Sequence, residues 1–395
     1  MRLRMFGATD VGLVRSNNQD AYYCSAEYGL VVVSDGMGGH KGGEVASQLV
    51  VAGLRDAFLA SRQIVVEDIA PFLDDALKKI NSEILERSAA DEKCRGMGAT
   101  VNYLQFAGGQ LAIGHAGDSR TYLIRAHRKP DGRPRYSIWC LTVDHNVGTF
   151  VERGLLKLDR DIPSASLTER QKSRLMRGMG VVPDLKADLY FRTIMEGDIY
   201  LTCSDGLHGF VSDKEILKTV VNGSLATAPE RLIERAKVAG APDNVTVVVS
   251  ILAEREEPLR DFDTPILEKT PYLVRLPDGE LCGPFSAQQV VDKISNNEIP
   301  LASEASASLG KWVFLNERDE LIKTYPEFDV PKLKGHLAFT HSLLSEGSAR
   351  IRKKLPVSAQ NQWALIGGAA AAAVVTALIL QYFIASLYRT LMPAY

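Results

Sequence analysis

The chain has 395 residues, with 46 Lys and Arg against 48 Asp and Glu, 46% hydrophobic and 24% charged. That composition is globular and long enough for more than one core, which excludes a disordered, collagenous or disulfide-stapled chain. A formal net charge of -2 argues against nucleic acid as a partner but leaves a small anionic substrate open.

Residues 1–10 lack the apolar run of a secretory signal, so the N-terminal bulk is expected in the cytoplasm. Cys24, Cys94, Cys140, Cys203 and Cys282 show no CxxC spacing and read as reduced thiols, with no zinc site among them. Residues 28–34 form a short apolar run ending in Asp-Gly, the signature of a buried strand. Three-four apolar spacing predicts helices over 43–60 and 68–88. Strands follow at 100–106, 110–115 and 121–125, joined by Gly-rich turns and expected as an antiparallel meander. Residues 146–186 have mixed charge and no sustained period, which predicts a mobile insertion with a short helix.

Regular structure resumes with a strand at 199–203, a capping box at Ser212 and Glu215, a helix over 229–239 stopped by Gly240, and a last strand at 245–252. Residues 254–271 are charged and proline-broken, a linker that predicts independent movement of the C-terminal part. A compact stretch at 272–325 leads to a basic stalk at 326–362. Residues 363–387 carry no charge and, as a helix, reach roughly 37 Å, enough for a hydrocarbon core of about 30 Å. The basic run 350–354 precedes this span and only Arg389 follows it. The expectation is therefore a single-pass C-terminal membrane anchor over 363–388, with the bulk in the cytoplasm.

Asp35, Asp118, Asp205 and Asp243 each sit at the end or start of an apolar strand. Ser34-Asp-Gly36 recurs as Ser204-Asp-Gly206, and Gly117-Asp-Ser119 and Pro242-Asp-Asn244 complete the set. Each one alone fits ordinary Asp-Gly turn chemistry. Four together favour oxygen ligands for a hard cation, Mg²⁺ or Mn²⁺.

These motifs, with 15–20 (Arg-Ser-Asn-Asn-Gln-Asp), 34–40 (Ser-Asp-Gly-Met-Gly-Gly-His) and 96–100 (Gly-Met-Gly-Ala-Thr), resemble the metal-dependent type 2C protein phosphatases, the PPM family, in its bacterial branch. The resemblance covers roughly residues 5–253 and implies an α+β fold: a β-sandwich flanked by helices on both faces, as a phosphatase domain over 1–253. It implies hydrolysis of phosphoserine and phosphothreonine on phosphoprotein substrates of a serine/threonine kinase, with two tightly bound Mn²⁺ or Mg²⁺ ions. Asp35 would bridge the metals, the Gly36 carbonyl would meet one, and Asp205 and Asp243 the other. Asp20 would support the cluster and Asp118 would share a third, weaker metal with Asp205. Arg15 would clamp the phosphate, since a guanidinium donates two parallel hydrogen bonds to it. Two adjacent cations acidify a water between them and neutralise phosphoryl oxygens.

Two readings stay open for His40: proton donor to the leaving oxygen, or cap of the helix beginning near Gly43. Residues 272–325 resemble the bacterial GYF-like domain, a small α+β module in which Trp312 reads as core more readily than as a peptide-binding face. The rival functions are a pseudophosphatase that binds phosphoproteins without turnover and an adaptor acting through the C-terminal module.

Overall fold

The structure, a computed structural model, describes residues 2–38, 42–61, 68–128, 134–156, 167–253 and 271–328. His40, most of the linker, nearly all of the stalk and the expected membrane span lie outside these residues. Among the described residues no helix is long and apolar enough to cross a membrane.

One antiparallel sheet contains β1 (Arg2–Asp10), β7 (Arg120–Arg128), β8 (Pro134–Cys140), β10 (Ile199–Cys203) and β11 (Val245–Ala253), in the order β1-β11-β10-β7-β8. The other contains β2 (Asp20–Ser25), β3 (Leu30–Met37), β5 (Val101–Ala107), β6 (Gln110–Ala116) and β9 (Asp188–Thr193), in that order, with β4 (Gly98–Ala99) paired to β3. Strand alternation divides the apolar side chains between two faces. In β3, Leu30 and Val32 pack beneath α1 (Gly42–Ala60) and α2 (Ile69–Ala90), whereas Val31 and Val33 enter the core between the sheets. In β11, Val247 and Val249 face α5 (Asp205–His208), α6 (Asp213–Val221) and α7 (Ala228–Val238), and Val248 points into the inter-sheet core. This is the helix-flanked sandwich expected of residues 1–253.

The capping box at α6 is present, with Ser212 and Glu215 bonding reciprocally to each other's backbone. The expected three-strand meander is not. β5 and β6 pair, but β7 crosses to the other sheet and pairs with β10 and β8. The crossing occurs at Gly117, whose φ of 121° and close approach to Thr100 exclude a side chain, since a Cβ would lie 2.6 Å from the threonine methyl. Segment 146–186 also holds more structure than expected. It contains α3 (Val147–Glu152) and α4 (Glu169–Lys172), drawn together by Val147 N–H donating to the Arg174 carbonyl at 2.9 Å.

The C-terminal module is a sheet of β12 (Tyr272–Arg275), β13 (Leu281–Phe285), β14 (Glu304–Ala307) and β15 (Val313–Phe314), in the order β13-β12-β14-β15, with α8 (Ala287–Ser295) and α9 (Arg318–Thr324). It runs past residue 325, because Phe328 is buried and its ring centroid lies 4.9 Å from that of Tyr272. The linker's composition predicts a module free of the sandwich, and the structure differs. Leu273, Leu281 and Trp312 complete the inter-sheet core, and the Trp312 indole donates to the Cys140 carbonyl at 2.8 Å. The main chain joins as well: Leu309 N–H reaches the Ile138 carbonyl on β8 at 3.0 Å, and Phe191 N–H on β9 reaches the Gly279 carbonyl at 3.0 Å. Burial of apolar surface outweighs the freedom that a charged linker permits.

Candidate active site

The carboxylates gather at one end of the sandwich, and both sheets supply them. Asp20 opens β2 directly opposite Asp35 near the end of β3. Asp205 follows β10 as the first residue of α5, Asp243 precedes the neighbouring strand β11, and Asp118 lies in the crossing between β6 and β7. Loss of solvation, followed by repulsion from Asp20, Asp205, Asp118 and Asp243, pushes the Asp35 carboxyl well above its usual range. Asp118 and Asp205 are raised for the same two reasons. Burial lifts Asp20 to about 7, against the opposing hydrogen bond from Ser204.

Small polar residues fix this end. Thr100 holds Asp35 twice, donating its N–H to the Asp35 carbonyl and accepting the Asp35 N–H at its hydroxyl, both at 2.8 Å. The Ser204 hydroxyl donates to Asp20 Oδ2 at 2.7 Å and accepts the Thr246 N–H at 2.9 Å, which links β2 to β10 and β11. Asn244 accepts Gln19 N–H and donates to the carbonyls of Val11 and Asn17, pinning the loop that carries Arg15. At Gly36 the backbone itself is the constraint, because a Cβ would lie 2.0 Å from the Gly43 carbonyl oxygen.

The acidic groups are assembled without being closed on one another. Among the described residues no three His, Cys, Asp or Glu side chains form a ready metal cage. Instead Arg15 Nη2 bonds Asp243 Oδ2 at 2.8 Å, and this contact, with Asp35 and Asp205 behind it, raises the guanidinium further. Asp20 Oδ1 is buried with no hydrogen-bond partner, and Asp35 is repelled by Asp205. Buried carboxylates that repel one another and an orphaned carboxylate oxygen both call for a proton or a cation. The donor set, all hard oxygen, fits Mg²⁺ or Mn²⁺.

Sequence reasoning missed the supports of Asp118. His208, pushed down to about 4 by burial, stays neutral and donates to the Asp118 carbonyl at 2.9 Å. Arg120 grips Asp144 with two hydrogen bonds of 2.9 and 2.8 Å. His145 N–H donates to the Gly117 carbonyl at 2.7 Å, and its ring Nδ1 accepts the Gly117 N–H at 3.2 Å. The run Asp144-His145-Asn146 after an apolar strand is the local signal that points to them.

Residues 14–131 match the family model for protein phosphatase 2C. The chain is 40% identical over 248 residues to the serine/threonine protein phosphatase PstP of Mycobacterium tuberculosis, a match covering 63% of this chain and 45% of that protein. The chain thus spans less than half the length of this relative. It is 31% identical over 255 residues to the serine/threonine phosphatase Stp of Listeria monocytogenes, covering 63% of this chain and 94% of that protein. The crystal structure of the PstP catalytic domain in complex with two manganese ions superposes with a TM-score of 0.53 at 36% identity, over 64% of this chain and 99% of that one. The helix-flanked sandwich and its carboxylate end define a protein serine/threonine phosphatase catalytic domain. Coverage of nearly all of Stp extends the likeness over that whole domain. The chain belongs to the protein phosphatase 2C family.

Proposed function

We propose that the whole protein hydrolyses phosphoserine and phosphothreonine on phosphoproteins, using two Mn²⁺ or Mg²⁺ ions held by Asp35, the Gly36 carbonyl, Asp205 and Asp243. The observation that carries this is the gathering of five aspartates from two sheets, with Asp20 Oδ1 left without a partner. The two manganese ions bound by the PstP catalytic domain support it. When bound, the ions neutralise the phosphoryl oxygens and activate the attacking water. Asp20 would buttress the cluster from β2, and Asp118 would join Asp205 to hold a weaker third ion. Arg15, here paired with Asp243, would turn its guanidinium to the phosphate once cations held Asp243. His40 is the candidate proton donor to the leaving oxygen. The test is turnover of an aryl phosphate and a phosphothreonine peptide with Mn²⁺, with chelator, and after Asp35→Asn. Undiminished turnover in excess chelator would overturn the metal assignment.

The proposal extends to a cytoplasmic enzyme tethered by residues 363–388 and acting on the products of a serine/threonine kinase, with a GYF-like fold for the C-terminal module. The uncharged run 363–387 and its basic flank support the tether. Carbonate extraction of membranes is the check, and release of the full chain by high salt would reject a spanning anchor.

A further inference from the structure

We infer that the C-terminal module braces the catalytic end of the sandwich, with Arg275 as a positioning residue for turnover. The inference rests on the phosphatase reading above. Arg275, at the end of β12, is buried with its guanidinium over two rings, 4.3 Å from the Trp312 centroid and 4.9 Å from that of Tyr190. It donates to Glu304 Oε2 at 2.8 Å and to the Leu141 carbonyl at 3.3 Å. A buried ion pair contributes little net stability but fixes geometry strongly, because neither charge has solvent to turn to.

Two branches leave this pair. Glu304 Oε1 accepts from Arg153, the C-cap of α3, and Lys311 binds Glu152, the last residue of α3, at 2.8 Å. The module therefore holds the last turn of α3 at two points. The second branch leads to the site. The Tyr190 ring faces Arg275, and its hydroxyl donates to Asp188 Oδ2 at 3.0 Å. Asp188 takes Arg177 Nη1 at 2.7 Å and His145 Nε2 at 3.0 Å. His145 binds both backbone groups of Gly117, the residue before Asp118. Every step from the module to the Asp118 turn is a direct contact.

A cavity of about 450 Å³ lies at this junction, walled by Arg153, Arg177, Arg275, Asp188 and Glu304. Each guanidinium there already has a carboxylate partner, so the walls are cross-linked and offer no free charge to an anion. The brace fixes the backbone of the Gly117–Asp118 turn, so that a cation finds Asp118 in place. The module is thus part of the catalytic unit, reaching it through α3 and through the Gly117–Asp118 turn.

The full chain tests this with Arg275→Met, which keeps the apolar stem over the rings, and with Tyr190→Phe, which deletes only the hydroxyl on Asp188. The measurements are aryl-phosphate kinetics across Mn²⁺ concentrations and calorimetric Mn²⁺ binding. The expected result is an unchanged KM, a kcat lowered about five- to tenfold, and a similar weakening of the weakest Mn²⁺ site, with the two tight sites intact. Tyr190→Phe carries the test alone if Arg275→Met fails to fold. A folded variant with parental kcat and Mn²⁺ dependence overturns the brace. Failure of the phosphatase reading shows separately, as a parent with no Asp35-dependent turnover, and in that event the Mn²⁺ isotherms still decide whether Tyr190 reaches the weak site.

Discussion

Asp20 and Asp35 stand directly opposite each other in the β2–β3 register, so two carboxylates on adjacent strands share one face of the sheet. Like charges placed this way are destabilising unless a proton or cation intervenes. The protein concentrates that cost at the end of the sandwich, where Asp205 and Asp243 add to it.

The first prediction concerns pH. The folded pKa of Asp20, about 7, lies above its unfolded value of 3.8, so the folded state holds a proton that the unfolded chain releases. Its stabilising contribution is full below about pH 4 and is lost as pH rises through about 7. His115 and His208, buried neutral with values of about 3 and 4, act in the opposite direction over much of this range. The readout is therefore a difference. In chelator, the Tm of Asp20→Asn minus that of the parent should grow between pH 4 and 7, and saturating Mn²⁺ should shrink the gap. A flat difference would show that Asp20 is not held protonated.

Asp35→Asn and Asp243→Asn should each lower Mn²⁺-supported turnover by more than about 100-fold. Both variants should melt no lower than the parent in chelator, since each relieves repulsion among the carboxylates and the ion pair with Arg15 that Asp243 gives up is exposed and contributes little. A large drop in metal-free stability would instead mark these residues as structural.

Gly36→Ala places a methyl 2.0 Å from a backbone oxygen that cannot turn aside. The expected cost is about 1–3 kcal/mol, with displacement of the Gly36 carbonyl and weaker Mn²⁺ binding. Chemical denaturation together with calorimetry checks both effects. Parental stability and affinity would mean that the Gly43 contact yields without consequence.

Trp312→Ala removes a ring from the inter-sheet core and a donor from the Cys140 carbonyl. A loss of about 3–5 kcal/mol is expected, spread over sandwich and module together. Scanning calorimetry of the parent should then show the two unfolding in one transition. Separate transitions, with only the later-sequence one shifted by the substitution, would mean that the module folds apart.

Much of the carboxylate end is legible in the sequence because it is written locally: Ser-Asp-Gly twice, each after an apolar run, and Asp-Asn before another. The helices over 42–60 and 69–90 are equally plain from their spacing. The features that escape are non-local. Gly117 looks like a turn glycine and gives no sign that the chain there changes sheets. Strands β8 and β9 are short, and their outer neighbours come from residues some 90 to 170 positions away, at Gly279 and Leu309. His145 and Asp188 are ordinary residues until the fold sets them 3.0 Å apart. Nothing local marks Arg275, and only the fold brings its guanidinium within 4.3 Å of the Trp312 ring and 4.9 Å of the Tyr190 ring.

The module's grip on β8 and β9 has a practical side. These are the outermost strands of their two sheets, and their borders are occupied by the carbonyl of Gly279 and the amide of Leu309. A protein cut after Ala253 bares both borders, together with the apolar hollow left by Leu273, Leu281 and Trp312. Bare strand borders recruit strands from other molecules. Preparations ending at residue 253 should therefore clump as concentration rises, whereas those carried through Phe328 should stay monodisperse, and light scattering would separate the two within one dilution series.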